Sequence, residues 1–175
     1  MAEAKYLYLI IISTTLLSDQ PILTLSKAEV EEELQYDRPS GLYVIFANAI
    51  TMRNLNRLAD LIASYGVEIN DIHDGNGNTP LLLAADQNEP DMIEQLIVAG
   101  ADMNRATTDA RHEAPLHRAA RLGNLAAVNK LLELGPTYGL DLNQLNGAHQ
   151  TPLDIADAGA VPALIAANAH YYNEL

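Results

Sequence analysis

Two stretches of the chain hold residue types that do chemistry in other proteins. The first, His112-Glu113-Ala114-Pro115-Leu116-His117, has two histidines and a glutamate within six residues. A zinc hydrolase built this way needs its histidines four apart on one helix face, with the glutamate beside the first as general base. Here they are five apart, and Pro115 stands where a helix would begin. His112 then belongs to a loop and His117 to a helix, so the group does not converge on a metal. The second stretch, Asp71 to Asn78, offers side-chain oxygens at Asp74, Asn76 and Asn78. A calcium loop starting at Asp74 would want Gly in sixth place and Glu in twelfth. Those places hold Thr79 and Ala85, and a β-turn shaped by Gly and Asn is the better reading. No Ser or Thr has an evident base beside it. The chain contains no cysteine, which removes thiolate catalysis, thiolate zinc sites and a disulfide framework, and no Gly-rich phosphate loop is present. The expectation is therefore no catalytic residue, no metal site, no cofactor and no enzymatic activity; a cryptic hydrolase is the least favoured alternative.

The elements around these stretches repeat. Thr79-Pro80-Leu81-Leu82-Leu83-Ala84-Ala85 returns as Ala114-Pro115-Leu116-His117-Arg118-Ala119-Ala120 and as Thr151-Pro152-Leu153-Asp154-Ile155-Ala156, the prolines 35 and 37 residues apart. A period in this range predicts stacked supersecondary units rather than one globular core. Thr at the head of a copy reads as a helix N-cap, and Pro fits the first helical position, where an N–H is dispensable. Leu followed by Ala-Ala gives a short helix with a slim face. A second helix follows in each unit, Asp91 to Ala99 and Leu125 to Leu134, both with apolar residues at helical spacing. Gly100 and Gly135 read as their left-handed stops.

The unit resembles the ankyrin repeat, whose pattern is Thr-Pro-Leu-His-x-Ala-Ala, a second helix, then Gly-Ala-Asp-x-Asn. The middle copy carries it through Pro115-Leu116-His117-x-Ala119-Ala120 and Gly123-Asn124. The preceding copy carries it through Gly77-Asn78-Thr79-Pro80-Leu81, Ala84-Ala85 and Gly100-Ala101-Asp102-x-Asn104. The resemblance implies an all-α fold, a short ankyrin-repeat solenoid of about four helix–turn–helix repeats with β-turn tips and atypical end repeats. It also implies that His117 ties its helix to the neighbouring turn.

Taken in order, residues 1–18 hold an uncharged run from Tyr6 to Leu17 behind Lys5. This is laid out like a signal peptide and too short to span a bilayer comfortably as a helix; the alternative is an N-terminal cap segment. Residues 19–40 read as an extension with a short helix from Ser26 to about Tyr36, broken by Arg38-Pro39-Ser40-Gly41. Residues 41–175 form the repeat domain. Its first unit spans about 41–70, with an inner helix from Leu42 to Ile50, an outer helix from Asn54 to Tyr65 and a stop at Gly66. The others span about 71–104, 105–143 with Pro136 to Gly139 in a loop, and 146–175 with a last helix from Val161 to Ala169.

The formal net charge of −13 disfavours nucleic acid and anionic membrane surfaces and would steer a basic partner inward. The charge is uneven: residues 41–104 carry nine acids and two bases, residues 105–130 five bases and two acids. In a repeat protein the extended concave surface is the usual binding face. The resemblance places it at the turn tips and inner-helix ends: Asp74, Asn76, Asn78, Asp86, Gln87 and Glu89, then Arg111, Glu113, Arg121 and Leu122, and later Gln150. The expected function is non-enzymatic protein binding by a monomer, with a basic protein as the candidate to be neutralised. An exported stabilising or chaperone-like envelope factor is the alternative. A cleaved leader would put the protein in the periplasm or outside the cell, without membrane insertion of the mature form; otherwise it is cytoplasmic.

Overall fold

The computed structural model describes residues 38–65 and 69–174. The expectations for residues 1–18, the Ser26 helix and the Gly66 stop lie outside the described residues. Among those described there are seven α-helices, one 3-10 turn at Tyr172–Glu174, and no strand. The helices are α1 (Arg38–Thr51), α2 (Leu55–Tyr65), α3 (Pro80–Asp86), α4 (Pro90–Val98), α5 (Pro115–Arg121), α6 (Leu125–Tyr138) and α7 (Val161–Ala166).

They stack in two layers. The inner layer runs α1, α3, α5, each packed on the next, and the outer layer runs α2, α4, α6. The sequence explains the thinness of the inner layer. Ala84, Ala85, Ala119 and Ala120 are all wholly buried, and side chains of one carbon let neighbouring helices approach closely. The outer helices supply the bulk: Leu58 and Leu61 from α2, Met92, Ile93, Leu96 and Ile97 from α4, Val128 and Leu131 from α6. A continuous apolar core thus runs between the layers, repeat on repeat.

Caps form largely as the pattern demands. Thr79 Oγ1 accepts the Leu82 N–H at 3.3 Å, with Pro80 in the first turn. Asn54 caps α2 by accepting the Arg57 N–H at 2.9 Å. In five places the chain departs from expectation. Helix α1 begins at Arg38, running through the Arg38-Pro39-Ser40-Gly41 stretch expected as a break, because a proline in the first turn has no helical partner to lose. Helix α4 begins at Pro90 for the same reason, so Asp91 lies in its first turn and Glu89 takes the cap position. Helix α6 does not stop at Gly135; it continues through Pro136 to Tyr138 and ends on Gly139, whose φ of 77° is left-handed. Gly135 serves for space, since a Cβ there would sit 3.0 Å from Leu140 Cβ. Finally, Thr151-Pro152-Leu153-Asp154-Ile155 makes only a turn. Asp157 N–H donates to Ala120 O of the previous repeat, and Asp157 Oδ1 accepts the Gly159 N–H, which takes the chain out of helical register. The last helix, α7, ends at Ala166 and not Ala169.

Two ladders lock the repeats together. At the turn tips, Thr108 N–H donates to Asn76 O at 2.9 Å and Gly147 N–H to Arg111 O at 2.8 Å. At the exits, Asn70 donates to Gly100 O and accepts from Asp102 N–H. Asn104 repeats this with Gly139 O and Asp141 N–H, and Asn143 accepts the His170 N–H. The Asn that closes each repeat is thus the clamp for the next.

Candidate functional site

Asp74, Asn76 and Asn78 form the tip of the second repeat. Asp74 Oδ1 accepts the N–H groups of Asn76 and Asn78, and Asp74 Oδ2 accepts the Asn78 side-chain amide at 2.7 Å. The carboxylate is committed to the turn, and the oxygens do not converge on an ion. Asn146 does the same for the fourth tip, accepting from Ala148 and Gln150 N–H. The middle tip is two residues longer, closed by Thr107 N–H to Glu113 O where Asp74 N–H reaches Asn78 O. His112 stands exposed on that tip with φ 46°. His117 is fully buried, so the two histidines share no face.

His117 is a tie between repeats. Its Nδ1 accepts the Ala114 N–H, which leaves the proton on Nε2 to donate to Gln150 O at 3.1 Å. Burial holds this imidazole below the ordinary histidine value, because a charged ring would lose its hydration and its acceptor. In the fourth repeat Asp154 takes over the local part of this work. It accepts from Thr151 N–H while Thr151 Oγ1 accepts the Asp154 N–H, a reciprocal capping box.

The inner-helix ends converge on Arg118. From α5 its guanidinium reaches back to Asp86 Oδ2 and to Asn78 Oδ1 of the second repeat, and its Nε lies 3.5 Å from Glu113 Oε2. Arg121 forks onto the same Glu113 at 3.0 and 3.2 Å. The Glu113 residue is 4% exposed. This corrects the expectation that Glu113 stands free on a tip: two guanidinium groups cover it, and a buried carboxylate must be paired in this way. Burial raises the Asp86 carboxyl above its usual value, with Arg118 and then Arg121 pulling it back. Tyr43 of α1 lies within the field of Asp74 and Asp86, and burial first, then those two carboxylates, push its phenol up to about 12. The inner ends of three repeats therefore meet in one electrostatic cluster.

The remaining expected contacts divide by exposure. Glu89 pairs with Arg53. Arg111 pairs with Asp109 at 3.2 Å, although 62% of its side chain stays exposed; the Thr107 hydroxyl, then burial opposing, then Arg111 leave Asp109 below the usual range. Gln87 is exposed, as is Leu122 at 46%. Met52, Gln87 and Leu122 occupy equivalent positions 35 residues apart, and all three are exposed, as is Leu125. Gln150 is half-buried near the C-terminal end. Arg118 was not among the expected contact residues. A signal for it exists: it fills the place that Leu83 and Ile155 hold in the other copies, a charge where the pattern is apolar.

These tips, ties and clamps recur with one period, and the family model for ankyrin repeats in three copies matches residues 45–146. The chain belongs to the ankyrin-repeat family. This ankyrin-repeat protein is 40% identical over 85 residues to palmitoyltransferase ZDHHC13 of Homo sapiens, covering 47% of this chain and 13% of that one. Its Danio rerio counterpart is 36% identical over 118 residues, 67% of this chain and 17% of that one. NF-kappa-B inhibitor delta of Mus musculus is 33% identical over 99 residues, 54% and 29% of the two chains. The chain spans less than a third of the length of these relatives, and the resemblance to the palmitoyltransferases runs through the ankyrin region. Ankyrin repeats make a protein-interaction module, and that coarse function holds for this chain. Among the described residues, no helix is long and apolar enough to cross a membrane, and no three His, Cys, Asp or Glu are grouped to hold a metal ion.

Proposed function

We propose that this ankyrin-repeat protein is a non-enzymatic module that binds and neutralises a basic protein through its turn tips and inner-helix ends. The observation that supports this is the disposition of charge. Arg53, Arg111, Arg118, Arg121 and Lys130 are each paired with a carboxylate of this chain, Arg118 with little exposure and Arg53 and Arg111 at the surface. Among the described residues, exposed acids such as Asp71 and Asp91 have no such partner. Residues 38–174 hold sixteen carboxylate side chains against eight Lys and Arg, an acidic surplus that pairing within the chain does not cancel. That surplus raises encounter rates with a cationic surface and disfavours acidic competitors. The exposed Met52, Leu122 and Leu125 add apolar area for the contact itself. One relative bears the name of an inhibitor, which suits a module that acts by occupying its partner.

The test is affinity capture from the native source with mass spectrometry, followed by titration of the isolated pair with salt. A basic partner whose affinity falls with ionic strength supports the reading. So does loss of capture by Leu122→Asp with an unchanged circular dichroism spectrum. An acidic partner, or binding indifferent to salt, sinks it.

A further inference from the structure

At the C-terminal end of the stack, away from the Arg118 cluster, the fourth repeat and the last segment line a wide-open surface cavity of about 610 Å³. Its walls are His149, Gln150, Asp154, Tyr171, Tyr172 and Glu174. The wall chemistry is specific. Two carboxylates and three aromatic residues line the space, and among the described residues no Lys or Arg does. The rings of His149 and Tyr172 lie 6.5 Å apart with a tilt of 42°, so they are not stacked face to face. Tyr171 and Tyr172 stay 37% and 50% exposed.

The floor is held firmly. Asp154 takes hydrogen bonds from Thr151 N–H, the Thr151 hydroxyl and Tyr172 N–H, which fixes the last segment onto the fourth repeat. The single hydroxyl proton of Thr151 is shared between Asp154 Oδ2 at 3.0 Å and His170 O at 2.9 Å. Glu174 spends only Oε2, on Tyr171 N–H at 3.1 Å and toward His170 Nδ1 at 3.7 Å. Its Oε1 and the side-chain amide of Gln150 are left without a hydrogen bond among the described residues.

We infer that this cavity receives a cationic side chain, Lys or Arg, of a protein partner. A cation over a tyrosine face is attracted by the ring quadrupole, and a guanidinium can add a charge-assisted bond to the free Glu174 oxygen. An anionic group would meet two carboxylates with no cation of Lys or Arg type to balance it. A neutral aromatic side chain would leave the Glu174 and Gln150 polar atoms unpaired. The inference rests on the protein-binding reading above and gives it a specific anchor, at Gln150 and the residues around it.

The experiment is an NMR titration of the full chain at low ionic strength. The probe is N-acetyl-arginine amide, and N-acetyl-citrulline amide is its uncharged near-isostere. The arginine probe is expected to shift the amide signals of His149, Gln150, Tyr171 and Tyr172, and the citrulline probe to leave them in place. Tyr172→Ala should weaken the arginine probe about two- to fivefold, and Glu174→Gln should weaken it and reduce its salt dependence. Both positions are exposed, and an unchanged spectrum elsewhere certifies the fold. Equal shifts from both probes, shifts spread over exposed acids such as Asp71 and Asp91, or variants that bind like wild type would overturn the inference. Repeating the capture with both variants separates the two readings. A partner retained without the cavity removes the anchor alone, whereas cation binding with no partner captured by wild type removes the module's proposed role alone.

Discussion

Arg118 reaches from the third repeat to Asp86, thirty-two residues earlier in the second, and with the same guanidinium holds Asn78 and faces Glu113. One side chain therefore sets the spacing of two inner helices and holds the charges at their ends. It is the point where the repeat scaffold and the candidate binding surface share residues.

Arg118→Met should lose about 1–3 kcal/mol of unfolding free energy, since half-buried Asp86 loses its hydrogen-bonded cation and Glu113 is left with Arg121 alone. Urea unfolding measures this. Replacing Arg57, which is exposed on α2, should change stability by less than about 0.5 kcal/mol. Equal losses would mean that the bridge contributes nothing beyond an ordinary surface charge.

Stability should fall as the medium is acidified below about pH 6.5, the ordinary histidine value. The sign follows from His117, whose folded pKa is lowered by burial. Between the two values the unfolded chain binds the extra proton and the folded chain does not, so stability rises with pH there and is complete above the unfolded value. Asp86 has the opposite sign. Its carboxyl is raised in the fold, so its contribution improves as pH falls through that raised value toward the usual carboxylate range. Urea midpoints of wild type and His117→Asn between pH 5 and 8 check this; the variant should be less stable at pH 8 and show a flatter profile.

Gly147→Ala should cost about 1–3 kcal/mol, because a Cβ there would sit 2.2 Å from Ala110 O and force the third and fourth tips apart. Gly75→Ala meets nothing within 4 Å and should be close to neutral. Thermal melts of the pair decide whether stacking of the tips matters to the fold.

Asn104→Ala should cost about 0.5–1.5 kcal/mol, since it removes the amide that holds Gly139 O and Asp141 N–H at the exposed exit. Hydrogen exchange should accelerate at Asp141, next to the lost acceptor, before it does so in α4. Unchanged exchange at Asp141 would show that the exit ladder is not a clamp.

What the sequence determined by itself is the repeat, its period and its helix pairs; the His117 tie came with the resemblance those residues carry. Thr79, Pro80 and Gly100 signal local backbone geometry, and local geometry is written in adjacent residues. The same reasoning misjudged Gly135, where glycine answers to Leu140 pressing on it and not to backbone handedness, and it misjudged Thr151, whose helix is cut short by Asp157 bonding to Ala120. For the candidate site the sequence named Asp86, Glu113 and Arg121 as surface groups and passed over Arg118. Only the stacked structure decided which of these charges remain free. Their fate depends on what stands opposite them one repeat away, and partners separated by more than thirty residues are brought together by packing between layers, not by spacing along the chain.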